Sequence, residues 1–303
     1  MLERLTFKNH LNQMLEFGDG EGIFLNMNDL HSYKWNYTSK NNKISFFSRD
    51  IQEKKIPIVV YAKSRNDGYA VMNTLMEMAD KDIIANIAGK IIIGDYYLEC
   101  FVFESEKAKY DLEKGLFYAT LTVVTDKPTW VKEITRSFED ASGGAGTGFD
   151  YPYDFPYDFT SPNSIRELNN TGFADSDFKL IIYGEITDPA IYIAGHKYAL
   201  TGHIGSGEYA VIDSRDKSVV LMSGGGTQTN WFSHRDRNDY IFQKIPSGVS
   251  NVAWAGGYGF DVVLFDERSE PLWYSYGGGG DEPRTIEPFT DAQMQSLLAL
   301  FAS

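Results

Sequence analysis

His234-Arg235-Asp236 is the triplet whose residue types first suggest chemistry, because a protein-kinase catalytic loop opens with the same three residues. In such a loop the metal-binding Asn stands five positions after the Asp. Here that position is Ile241, and no Asp-Phe-Gly follows. His196 and His203 lie seven apart in strand-like sequence, so the alternating geometry of a strand points their rings to opposite faces. That spacing does not make a metal pair. GSG at 205–207 is too tight for the Gly-x-Ser-x-Gly turn that exposes a serine nucleophile. GGAGTG (143–148) has neither a strand before it nor a helix after it, and SGGGTQTN (223–230) lacks the Gly-Lys-Ser/Thr of a phosphate loop. The many carboxylates leave a glycosidase pair open, since such pairs are recognised by geometry. Trp231, Trp254 and Trp273 have the type used to stack sugars, although a Trp among strands is as a rule core. No catalytic residues, metal site or cofactor loop are expected.

The elements that would position any site are mainly strands. KKIPIVVYAK (54–63), the two runs of IIIGDYYLECFVF (91–103) joined by Gly94-Asp95, and GLFYATLTVVT (115–125) are β-branched, aromatic and bounded by turn residues. Tyr33, Trp35 and Tyr37 alternate, TSKNNK turns, and Ile44 and Phe46 alternate back, which predicts a projecting hairpin. Between the strands, NDGYAVMNTLMEMADKD predicts one helix. It is capped by Asn66 or Asp67 and buries Val71 or Met72, Leu75, and Met78 or Ala79. From residue 176 short strands recur at close spacing (FKLIIYGEI, AIYIAG, KYALTGHI, EYAVID, SVVLM, DYIFQ, VSNVAWAG, FDVVLFDE, PLWYSY), punctuated by turns. That pattern predicts an antiparallel sandwich. Thr290 and Gln293 make a capping box for a last helix, with Met294, Leu297, Leu298 and Phe301 on one stripe.

The composition narrows the class. With 303 residues, 43% hydrophobic and 15% aromatic, the chain is long enough for two domains with real cores. Its one cysteine, Cys100, excludes an internal disulfide and any cysteine-based zinc site. No run has the length of a membrane span and the start has no signal-like apolar core, so folding in a reducing cytosol is expected. Residues 1–130 carry 16 basic against 18 acidic side chains, and residues 131–303 carry 12 against 24. The second half would repel a polyanion, and stable nucleic-acid binding is not expected.

SFEDASGGAGTG (137–148) is a linker by composition. After it, GFDYPYDFPYDF (148–159) puts Phe149, Tyr151, Tyr153, Phe155, Tyr157 and Phe159 on one parity, while Pro152 and Pro156 forbid a place inside a sheet. Each Pro biases the residue before it toward extended backbone. The segment is therefore expected to dock as an interdomain strap along a β-domain surface. The expected organisation is an N-terminal domain over 1–136, linker and strap over 137–165, a C-terminal sandwich over 166–276, and a glycine-rich break with a helix over 277–303.

The block from WNYTSKNNKISFFSRDIQEKKIPIVVYAKS through the helix to GKIIIGDYYLECFVFESEKAKYDLEKGLFYATLTVVTDKPTWVKE resembles the N-terminal domain of the distal tail (Dit) proteins of siphophages. The Tyr-Asp-Phe-Pro-Tyr-Asp-Phe segment, GEITDPAIYIAGHKYAL, IPSGVSNVAW and FDERSEPLW are similar to that family's C-terminal half, and all stand in the right order over about residues 20–275. The resemblance implies a β-sandwich or barrel-like, tail-tube-type N-terminal domain with one helix and a galectin-like C-terminal sandwich. It implies a structural protein of the virion, a homo-hexameric ring at the far end of the phage tail, made in the host cytoplasm. Implied partners are the tail tube protein, the tail-associated tip protein, and receptor-binding or baseplate proteins, with no membrane and no cofactor. Residues 276–303 depart from the family pattern. In such a ring the hairpin residues Tyr33, Trp35, Tyr37, Ile44 and Phe46 would form the subunit contact, because a β-domain's open edges need covering. The alternative reading is a carbohydrate-binding module gripping cell-wall glycans through Trp231 and Trp254.

Overall fold

The structure is a computed structural model that describes residues 4–18, 22–61, 65–111, 115–139 and 167–272. The strap 149–159 and the C-terminal helix over 290–301 lie outside the described residues. The first half contains β1 (Leu5–Lys8), β2 (Met14–Phe17), β3 (Ile23–Leu25), β4 (Asn36–Lys40), β5 (Lys43–Ser48) and β6 (Gln52–Tyr61). The helix α1 (Arg65–Ala85) follows, then β7 (Gly89–Ile93), β8 (Tyr96–Asp111) and β9 (Leu116–Thr125). β10 (Trp130–Phe138) leads out of this half. After it come β11 (Glu167–Asn170), β12 (Phe178–Tyr183), β13 (Ile186–Thr187), β14 (Ala190–Ile193), β15 (His196–Ala199) and β16 (His203–Ile204). The last are β17 (Tyr209–Asp213), β18 (Ser218–Met222), β19 (Gln228–Asn230), β20 (Gly248–Trp254) and β21 (Phe260–Arg268). Among the described residues the fold is mainly β with one α-helix, its sheets are antiparallel, and none closes into a barrel.

Local patterning explains the first half. β6 buries Lys54, Ile56, Ile58 and Val60 at every second position, as a strand with one face on a core must. α1 buries Met72, Leu75, Met78 and Ala79, which fall on one helical face. These side chains meet Leu5, Phe7, Leu98, Leu121 and Val123 in a single core. β7 and β8 are joined at the expected two-residue turn, with Gly94 at φ 58°. β8 then runs on to Asp111 paired with β9, so the sequence EKAKYD, polar as it is, continues the strand.

The second half is a two-layer sandwich. One layer has β19, β18, β17, β12 and β21 side by side, and the other has β11, β20, β14 and β15. Phe178, Leu180, Ile212 and Val262 from the first layer pack with Leu168, Ile191, Ile193 and Val252 from the second. Two expectations change here. DYIFQ is a turn, not a strand, and plugs the core with Ile241 and Phe242. TQTN, the end of the glycine-rich 223–230 stretch and absent from the expected strands, supplies the edge strand β19.

A seam joins the halves. β10 pairs with β21 along its whole length, from Trp130 opposite Arg268 to Phe138 opposite Phe260, and it touches β8 at Val131 opposite Tyr97. Trp130 lies in the first core, whereas Phe138 stacks on Phe260 at 4.8 Å in the second. β10 therefore takes in Ser137 and Phe138, the first two residues of the stretch expected to be linker, because burial of that ring holds the strand in the sheet. Between the two cores Tyr97, Val131, Val263 and Phe265 form a third cluster. Beside it Arg215, nearly buried, reaches Glu267 at 3.0 Å and Glu99 at 3.7 Å, and Lys127 bridges Asp216 at 2.6 Å and Glu99 at 3.5 Å. Tyr96 Oη donates to Asp266 at 2.9 Å. Among the described residues, this seam sets the halves in place.

Candidate assembly surface

β4 and β5 form a two-stranded sheet that pairs with no other strand among the described residues. An isolated hairpin of this kind is marginal in water, so its base must be held. Lys54 does part of this, donating to the carbonyls of Asp29 and Ser32 in the segment leading to the hairpin. Burial lowers its pKa, opposed by the nearby Asp29. Gln52 Nε2 donates to Lys34 O at 2.9 Å and Asn36 Nδ2 to Asp50 at 2.6 Å. The Arg49 guanidinium sits 3.9 Å over the Trp35 ring and donates to Pro128 O and Ser269 Oγ. At the tip Asn41 and Asn42 have φ of 53° and 57°, the pair of left-handed residues that a tight hairpin turn requires and that Asn tolerates best after Gly.

Beyond its base the hairpin is bare. Tyr33, Trp35, Tyr37, Ile44 and Phe46 are all exposed, between 41% and 66%. A bulge between Thr38 and Ser39 shifts the register, so Tyr37 faces Phe47 and Thr38 faces Phe46. Cross-strand partners share a face. Tyr37 and Phe47 therefore occupy one face, which Ile44 joins as the partner of Ser39 beyond the bulge, while Phe46 occupies the other. Phe47, exposed and edge-on to Trp35 at 6.5 Å, was missed by the sequence reading, which had no sign of the bulge. Residues 33–49 carry Lys34, Lys40, Lys43 and Arg49 and no acidic side chain, within a chain of net charge −14. An apolar, basic, two-faced hairpin is suited to being covered by another surface, since contiguous exposed rings of this kind mark interaction sites.

The other residues singled out in the sequence do not gather into a site. Trp231 is only 7% exposed and lies in the second core, its ring stacked by His234 at 4.4 Å. Trp254 is half-buried, edge-on to Phe138 and Phe260. Neither projects as a sugar platform, because both complete the packing of the sandwich; Trp273 is outside the described residues. His196 contacts Tyr240 O and His203 the Thr187 hydroxyl, so the two rings are spent separately. Among the described residues no helix is long and apolar enough to cross a membrane.

No protein-family model and no curated protein sequence matches the chain. Solved structures do. The Dit (gp 19.1) protein of phage SPP1, described as a paradigm of the hub adsorption apparatus in phages infecting Gram-positive bacteria, aligns with a TM-score of 0.53 at 9% identity. That alignment covers 87% of this chain and 99% of the SPP1 protein. Chains of the phage P2 baseplate in its activated conformation align with TM-scores of 0.56, in the structure with Ca, and 0.57, in that with Sr. Their identities are 10% and 12%, covering 89% of this chain and all of each neighbour. From its hairpin to its two-layer sandwich, this chain has the fold of the phage Dit hub and baseplate proteins, as the order of its sequence blocks implied.

Proposed function

We propose that the protein is a structural component of a phage virion at the distal end of the tail. In this reading six copies form a ring that joins the tail tube to the tip or baseplate and its receptor-binding apparatus. The observation that carries it is the extent of the fold match, which takes in 87–89% of this chain and 99–100% of the SPP1 hub and P2 baseplate neighbours. The exposed hairpin supports the ring. If β4 and β5 cover a different surface on the next copy, the contact is heterologous, and a closing rotation gives a ring. The protein would act by shape and adhesion, with no bond-making centre. The stitched seam suits this role, because a ring must hold its outer half at a fixed angle.

Light scattering with negative-stain imaging of the purified chain tests the proposal, together with mass spectrometry of purified virions. Six-fold rings, and the chain present in tails, are expected. A persistent monomer that never enters a tail would overturn the reading.

A further inference from the structure

We propose that a cleft of about 380 Å³ between the base of the hairpin and the turn after β11 binds a short neutral oligosaccharide through the rings of Trp35 and Phe173. Trp35 belongs both to this cleft and to the exposed hairpin, whereas Phe173 and Asp175 belong to the cleft and not to the hairpin. Its lining comes from both halves: Trp35 and Arg49 from the first, and Phe173, Asp175, Asp177 and Lys244 from the second, over a floor that includes Phe265. The size falls near the lower end of ligand clefts, roughly 300–1,000 Å³.

The rings are exposed yet rigidly presented. Phe173 is 74% exposed on a turn held by Asn170, which is itself buried. Asn170 Nδ2 donates to the carbonyls of Ala174, Ile245 and Pro246, and its Oδ1 accepts from Gly172 N and Ser176 Oγ. The Arg268 guanidinium lies 5.5 Å over this ring, and the rest of the large apolar side chain is held in water by a satisfied buried amide. Trp35 is fixed from the other side by Arg49 and Phe47. Aromatic faces offer an apolar platform to the C–H face of a sugar ring while leaving its hydroxyls free.

Charge selects the ligand class. The lining holds two cations, Arg49 and Lys244, against four carboxylates, Asp175, Asp177, Asp266 and Glu267, so an anionic ligand is disfavoured. A cationic ligand finds little free charge either. Lys244 and Ser214 hold Asp177, Tyr96 and Arg268 hold Asp266, and Arg215 holds Glu267. Among the described residues Asp175 accepts a long 3.4 Å bond from Ser247 N. What is left is a surplus of acceptor lone pairs on neutralised carboxylates, with spare donors on the half-exposed Lys244 ammonium. Hydroxyl groups, which both donate and accept, fit that set. An extended peptide would need free backbone groups. Here Ser176 bonds Ile245 in both directions, Gly172 N is taken by Asn170, and Asp177 O accepts from Phe265 N.

The test is saturation-transfer NMR on the full chain with chitotriose, cellotriose and maltotriose as probes, and a glycerol-phosphate oligomer and a Lys-rich peptide as contrast arms. At least one trisaccharide should bind, and Phe173→Ala and Asp175→Asn should each weaken it tenfold or more while leaving Tm unchanged, since both side chains are exposed. The proposal is refuted if no trisaccharide binds, if binding survives both substitutions, or if only the phosphate oligomer or the peptide is bound through these residues.

Discussion

Phe46 leaves 64% of its surface open on β5, and its truncation separates assembly from folding. A Phe side chain can bury on the order of 200 Å². If a neighbouring copy covers the open share, about 130 Å² leaves water, and at roughly 25 cal/mol per Å² this is about 3 kcal/mol for each contact. Phe46→Ala should therefore raise the concentration at which rings assemble by up to roughly a hundredfold. That figure is a ceiling, because side-chain ordering offsets part of it. The folded monomer should hardly notice, since an exposed side chain usually changes stability by less than about 0.5 kcal/mol. The assay is light-scattering mass across a dilution series, with thermal unfolding as control. Pairing the change with Ile44→Ala, which truncates the opposite face as well, should deepen the effect. An unchanged assembly midpoint in the double variant would refute the reasoning. So would a large fall in Tm, which would make Phe46 a folding residue.

Arg215→Ala should lower stability by about 2–4 kcal/mol, seen as a clear drop in Tm, because it strands Glu99 and Glu267 beside Phe265; a Tm within a degree of the parent would show that the seam does not need the ion pairs. His10→Ala should cost about 1–3 kcal/mol, measured by denaturant unfolding, because it removes the ring partner of a buried carboxylate while the backbone N–H stays. Asp82 is fully buried, and His10 holds its Oδ1 through both Nδ1, at 2.6 Å, and its backbone N–H; an unchanged midpoint would refute this account. Cys100 should resist alkylation until the chain unfolds, as burial pushes its thiol up to about 12. Because the folded pKa is the raised one, stability should fall as pH climbs from about 9, where the unfolded thiol ionises, towards about 12. Cys100→Ser should flatten that dependence, and an identical alkaline slope in the variant would contradict it.

Much of the architecture was legible because local rules and the fold agree. The helix stripe Met72, Leu75 and Met78, the Gly94-Asp95 turn and the alternation in β6 all follow from periodicity. Misreadings occurred where tertiary packing overrode composition. Phe138 belongs to a strand although a glycine-rich run follows it, because Phe260 and Trp254 cover its ring. Ile241 and Phe242 are apolar and strand-like yet sit in a turn, because the sandwich needs a plug there. The hairpin was visible as alternating rings, but its two-sidedness was not.

By itself the sequence determined a mainly β chain with one helix in its first half, an acidic second half, an exposed apolar hairpin, and the order of blocks that marks the hub fold. Those properties are local or additive, so periodicity, charge and turn chemistry suffice to read them. Only the tertiary structure decided that β10 and β21 stitch the halves into one sheet, that a one-residue bulge splits Tyr37 from Phe46, and that Trp35 and Phe173 line a common cleft. Each of those depends on register or on pairing between residues far apart in the chain. A shift of one position turns a side chain to the opposite face without changing the local pattern that specifies the strand.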